Sequence, residues 1–351
     1  MGPTMHDVAR AAQVSIKTVS NVVNDYPHVR ADTRQRVLDA IDHLGYRPNL
    51  SARGLRSGRT GVIGLTVPAL RENYFAELAD SIIRAAERRG LGVMVEQTSG
   101  DRDAELLAVS GGRRRFMDGL LFSPISLGQS DAAVLDVDFP LVLLGERIFG
   151  GPADHVTMHN TSSARAAVEH LLRGGRRRIA VIGADPASRD GVRTGTRDET
   201  SSASLRLDGY RAALRGAGLD VSPELERPTE HWNRAAGADA TRRLLDEGIA
   251  FDAVFALNDA LGLGALRALG EARIGVPSAV AVIGFDNIDE AQFSVPSLSS
   301  VDSGRDEIAT LAVDLLIERI NERGERLPPR TLKPDFRIVA RESTGFVDAG
   351  A

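Results

Sequence analysis

Near the start of the chain the apolar positions recur at helical spacing in two short bursts. Val8, Ala9 and Ala12 fall on one face of a helix over residues 5–12. Val19, Val22 and Val23 fall on one face of a second over 16–23. Ser15 precedes the second as a cap, and Asn24 and Asp25 follow it as a stop. Its other sector holds Ile16, Lys17, Ser20 and Asn21. Valine, isoleucine, serine and threonine are mediocre helix formers, so packing against neighbours has to hold this segment. The close succession of two such helices predicts a helix-turn-helix.

From Gly61 onward the pattern changes. Apolar runs of strand length at 62–67, 92–96, 119–122, 141–144, 179–182, 253–256 and 280–283 alternate with helical stretches at 74–89, 161–172, 205–215, 234–246, 260–269 and 305–323. This alternation predicts parallel sheets covered on both faces. Residues 185–204 are polar and read as a loop.

Composition narrows the function. A chain of 351 residues accommodates two or three domains, and no apolar run approaches the roughly 20 residues that span a membrane. The start of the chain lacks the pattern of an export signal, so the expected setting is the cytoplasm. There is no cysteine, which excludes disulfides, thiol catalysis and cysteine-held metals. Charge is uneven: residues 1–60 carry nine Arg and Lys against five acids, while the whole chain is at −5. A basic segment on an acidic body predicts a head that binds a polyanion.

Catalytic motifs are missing. There is no nucleophile elbow and no metal-spaced cluster among the seven histidines. The stretch GLRSGRT at 54–60 is one residue short of a phosphate loop, has Arg59 for the lysine, and precedes a strand instead of following one. Neither an enzyme nor a cofactor or metal is expected. Lys17 and Asn21 suit a DNA-reading helix, because Lys donates to guanine and Asn pairs bidentately with adenine. Ile16 could touch a thymine methyl. In open α/β sheets ligands gather at the carboxyl ends of strands, which picks out Glu146, Asn258-Asp259 and Asp286.

The segments DVARAAQVSIKTVSNVVND, LGYRPN and ARGLRS, together with ARESTG at 340–345, resemble the LacI/GalR family of bacterial transcription regulators over nearly the whole chain. The resemblance implies an all-α helix-turn-helix head at 1–48 and a hinge helix or linker at 49–60. It implies an α/β ligand-binding core at 61–345, of two subdomains, like type I periplasmic binding proteins. The first subdomain would hold 61–160 and 291–322, the second 161–290 and 323–345. A homodimer would bind a palindromic operator in double-stranded DNA, under control of a small sugar-like effector. DNA would be contacted by Ser15, Ile16, Lys17, Thr18, Ser20 and Asn21, and in the hinge by Arg53, Leu55 and Arg56. Effector would meet Tyr74, Phe75, Glu146, Arg206, Trp232, Asn258 and Asp286. A solute-binding protein of a sugar transporter is the alternative for the core. Relatives often carry glycine where Gln13 stands, serine where Arg30 stands, and aspartates where Gly145 and His159 stand.

Overall fold

The computed structural model describes residues 3–23, 26–46, 59–184 and 200–345. The hinge candidates Arg53, Leu55 and Arg56, the stop at Asn24-Asp25 and most of the 185–204 loop lie outside the described residues. The chain divides into two compact units that meet between Gly61 and Val62.

The head consists of α1 (Met5–Ala11), α2 (Ile16–Val23) and α3 (Ala31–Leu44). Each start is explained locally. The Thr4 hydroxyl accepts the Asp7 N–H while the Asp7 carboxylate accepts the Thr4 N–H at 2.9 Å, a reciprocal cap. Ser15 Oγ accepts the Thr18 N–H at 3.0 Å. Arg30 supplies no such bond to α3, whose other end closes on Gly45 at φ 61°. Val8, Ala12, Val19, Val22, Val37 and Tyr46 form the core. Gln13, in the turn between α1 and α2, has φ 53°. That is the left-handed conformation a glycine would adopt without penalty.

The second unit holds two six-stranded sheets. The first is built from β1 (Val62–Val67), β2 (Gly92–Gln97), β3 (Leu120–Phe122), β4 (Leu141–Leu144), β5 (Asp154–Val156) and, after a long excursion, a two-residue strand near position 331. Its helices are α4 (Asn73–Glu87) and α5 (Arg102–Ser110). The second sheet follows through α6 (Asn160–Arg173), β6 (Ile179–Ala184), α7 (Ser202–Gly216), β7 (Glu226–Pro228), α8 (Arg234–Asp246), β8 (Ala253–Ala256), α9 (Asp259–Glu271), β9 (Ala281–Phe285) and β10 (Ser299–Asp302). The chain then returns to the first lobe with α10 (Arg305–Asn321) and β11 (Thr331–Leu332), and ends in the second with β12 (Arg337–Val339). The orders are β11-β5-β4-β3-β1-β2 and β12-β10-β9-β8-β6-β7. Pairing is parallel except between β10 and β12. In each sheet the order of successive strands therefore reverses at its first strand, β1 or β6, the place where open sheets leave a crevice.

The division of the core differs from the sequence reading in two places. Strand β10 lies within 291–322, yet it pairs in parallel with β9 of the second sheet. Strand β11 lies within 323–345, yet it pairs with β5 of the first. Neither has a pattern of its own: β10 reads SSVD and β11 is two residues long. What fixes β11 is a buried network. Asp154 accepts two bonds from Arg319 at 2.8 and 2.9 Å, and the Arg330 N–H at 2.7 Å. Strands β5 and β7 also lack an apolar run, being DHV and ERP, and pair through neighbours alone.

Candidate functional site

A cavity of about 840 Å³ lies between the two sheets, walled by the loops that follow their strands. The first lobe contributes the start of α4 and the turns after β3, β4 and β5. The second contributes the start of α7, the loop around Trp232, and the ends of β8 and β9. All seven effector residues expected from the sequence line it: Tyr74, Phe75, Glu146, Arg206, Trp232, Asn258 and Asp286. Tyr74 packs against the cores of both lobes. Its ring meets that of Phe75 edge-on, with centroids 5.3 Å apart.

Arg206, on α7, is the centre of the polar wall. Its Nε donates to Asn160 Oδ1 at 2.7 Å and its Nη1 to the Leu257 carbonyl at 2.5 Å, and Nη2 stands 3.4 Å from Asp286 Oδ1. Its guanidinium carbon lies 3.5 Å from the centroid of the Phe285 ring and 5.5 Å from that of Trp232. Aromatic faces attract the cation. Burying both charges is costly unless the geometry compensates. Burial does push the Asp286 carboxyl up to about 6, although Arg206 and Arg305 pull the other way. Glu146 is also raised by burial, and the Thr157 hydroxyl and Met158 N–H oppose that shift by donating to its two oxygens. Asp259, immediately after Asn258, is completely buried and is raised well above the usual carboxylate range by that burial.

Trp232 and Asn258 each hold the wall as well as forming it. The indole N–H donates to the Gly183 carbonyl at 3.0 Å. Gly183 has φ 106°, and a Cβ there would lie 3.3 Å from the indole nitrogen and 2.6 Å from Leu261. Asn258 caps α9 by accepting the Leu261 N–H, and its amide donates to the Trp232 carbonyl. Sequence reasoning missed Asn160 and Met158, which face Arg206, and Arg71, Ser123, Arg147 and His231 on the wall. Only Asn160 carried a signal, as the neighbour of the altered position His159. That histidine makes no capping bond and sits 6.1 Å from the Phe336 ring instead. Among the described residues no group of three or more His, Asp or Glu could hold a metal, and no helix is long and apolar enough to cross a membrane.

On the head, Lys17 is exposed on α2, with Ser20 and Asn21 half-buried beside it. Ile16, on the same sector, is partly buried. It packs against the core of the head, because that core is small and takes apolar surface from the edge of the helix. Ser15 and Thr18 bond each other through their hydroxyls at 2.8 Å and are occupied with starting the helix. The arginine runs have structural partners. Arg114 lies over the Phe139 ring, and Arg176 and Arg178 donate to the carbonyls of Pro277 and Ala250.

Residues 4–49 match the family model described as bacterial regulatory proteins, lacI family, and residues 168–344 match that of a periplasmic binding protein-like domain. The ribose operon repressor of Escherichia coli (strain K12) is 34% identical over 321 residues, 91% of this chain and 93% of that protein. A LacI-type transcription regulator from Bifidobacterium animalis subsp. lactis has a solved structure with 33% identity and a TM-score of 0.74, covering 80% of this chain and 99% of that one. The Lac repressor dimer bound to operator and an anti-inducer gives a TM-score of 0.79 at 26% identity, over 98% and 99% of the two chains. A helix-turn-helix head and a two-lobed core are thus matched along essentially one continuous chain, and these relatives are regulators, neither enzymes nor transporter components. The chain belongs to the LacI family of bacterial regulatory proteins.

Proposed function

We propose that this protein is a transcriptional repressor that binds a palindromic operator as a homodimer and is released or strengthened by a small sugar-type effector in the cleft of its core. One observation carries the reading: a lacI-family helix-turn-helix head and an aromatic-walled cleft with buried polar groups occupy the same chain. The protein acts in the cytoplasm, where the operator is. Lys17 and Asn21 read base edges in the major groove, with Ser20 beside them. The hinge at 49–60, through Arg53, Leu55 and Arg56, joins the two functions.

The chemistry of the cleft favours a neutral polyhydroxy ligand. Arg206 already donates to Asn160 and Leu257, and its remaining nitrogen faces Asp286 at a loose 3.4 Å. A hydroxyl group can bridge that gap, accepting from Arg206 and donating to Asp286. Trp232, Tyr74 and Phe75 offer ring faces to the apolar side of a sugar. The Escherichia coli relative is named for ribose, so D-ribose heads the panel to test. Coupling between cleft and operator is reciprocal: a ligand that loosens DNA binding must itself be bound less tightly on DNA.

The test is selection of genomic fragments by the purified protein, with Lys17→Ala beside it. The expected result is a palindromic site recovered by the natural protein and lost by the variant, with release by one member of a neutral-sugar panel. Absence of any enrichment at low salt, with and without the panel, would overturn the reading.

A further inference from the structure

The turn that carries Asp286 is held from both lobes. Asp286 and Asn287 have φ 103° and 49°, both in the left-handed region that L residues disfavour. Its own lobe supports the turn from beneath. Asp259 accepts the Ile288 N–H at 2.9 Å and the Ser300 hydroxyl at 2.6 Å. Ser300 Oγ in turn accepts the Asn287 N–H at 3.0 Å, and Arg341 donates to Asn287 Oδ1 at 2.7 Å.

The opposite lobe reaches across the cleft to the same turn. Glu77, on α4, accepts the Asp289 N–H on its two oxygens at 3.1 and 3.2 Å. It also pairs with Arg305, at the start of α10, at 2.8 Å. The same Arg305 nitrogen lies 3.5 and 3.4 Å from the carbonyl oxygens of Asp286 and Asn287. The Arg305 Nε is buried with no partner among the described residues, and the contacts of the guanidinium are with Glu77 and the turn. Beside this pair, Asn73 of α4 donates to Glu290 at 3.0 Å, and Arg234 pairs with Glu290 and reaches Asn73. The bonds of Glu77 to Asp289, of Arg305 to the carbonyls of Asp286 and Asn287, of Asn73 to Glu290 and of Arg234 to Asn73 join one lobe to the other, whereas Glu77–Arg305 and Arg234–Glu290 each lie within one lobe.

We propose that Glu77 and Arg305 are positioning residues for effector recognition, a clamp from the first lobe that holds the Asp286–Asn287 turn in its ligand-ready shape and the cleft closed. The proposal rests on reading the cleft as the effector site. Neither residue lines the cavity. They act through the backbone of the turn that presents Asp286. Losing the clamp frees the lobes to separate and the turn to relax.

Trp232, the only tryptophan, stands in the cleft wall and reports its opening. Acrylamide quenching of its fluorescence is measured on the full chain without any sugar, for the natural protein, Glu77→Gln and Arg305→Met, with Asp80→Asn on the exposed side of α4 as control. Closure by the clamp requires the quenching constant to rise about twofold or more in both clamp variants and to stay unchanged in the control. Should either variant fail to fold, Glu77→Asp and Arg305→Lys, which keep the charges, take their place, and a smaller rise in the same direction is expected. Quenching that is unchanged in folded variants overturns the proposal. The readout needs no effector, so a natural protein that binds none of the sugar panel counts against the effector reading alone.

Discussion

Arg206 and Asp286 face each other at 3.4 Å in the buried wall of the cleft, too far apart to neutralise each other fully. Burial pushes the Asp286 carboxyl up to about 6 instead of near 4, and the loose pairing with Arg206 offsets that only in part. Arg206 itself is held on three sides, by Asn160, by the Leu257 carbonyl and by the face of Phe285. It is Asp286 that stays adjustable.

The first prediction is a pH dependence. The Asp286 carboxyl titrates at about 6 when folded, its burial being the main cause, against about 3.9 in an unfolded chain. Between those values the folded state binds more protons, so the unfolding free energy falls as pH rises through that window and levels off above it. Urea unfolding of the natural protein and Asp286→Asn across the window will show this slope reduced in the variant. Binding of a neutral sugar, with the ionised carboxylate as acceptor, strengthens as pH rises through about 6, the folded value, and loses that pH dependence in the variant.

The second concerns DNA. Lys17→Ala weakens operator binding, and Asn21→Ala costs about 1–3 kcal/mol while relaxing specificity at a single base pair. Fluorescence anisotropy with operator variants at several salt concentrations separates the two effects. A salt slope reduced by about one unit in Lys17→Ala would place that residue on a phosphate instead of a base.

Gln13→Gly is expected to stabilise the head by about 1 kcal/mol, since Gln13 occupies φ 53° where a Cβ is penalised. Denaturation of the natural protein and the variant, followed by helical circular dichroism, measures it. Ser15→Ala acts in the opposite direction by about 1 kcal/mol, because the Thr18 N–H loses its acceptor.

Asp154→Ala removes the more buried of the two carboxylates that Arg319 pairs with, leaving only Glu322, and unpins β11 from β5. Removing one partner of a buried pair costs about 3–5 kcal/mol. Urea denaturation should show a loss of that order, and hydrogen exchange should accelerate first in β11 and β5.

Much of this protein is written locally. The amphipathic pattern of α1 and α2, with the serine before the second, fixes two helices whose apolar sides must meet, since neither is long enough to persist alone. The alternation of apolar runs and helical stretches fixes a parallel α/β core, because a strand buried on both faces needs apolar side chains on both. The rule that ligands gather at the carboxyl ends of strands then finds Glu146, Asn258 and Asp286 from sequence alone. The resemblance added Arg206, Trp232, Tyr74 and Phe75, and all seven line one cavity.

What the tertiary structure decided is which pieces face which. The strands SSVD and TL carry too few apolar positions to choose a sheet, and their membership is set by the neighbours that complete their hydrogen bonds. Ile16 lies toward a small core although its position on the helix also allowed the open side. The contacts of Asn160 with Arg206, 46 residues apart, and of Glu77 with the turn at Asp289, 212 residues apart, belong to no local pattern. Periodicity reports only what happens within one or two turns of a helix or along one strand. The clamp across the cleft depends on two lobes closing on each other, and only the folded chain brings them together.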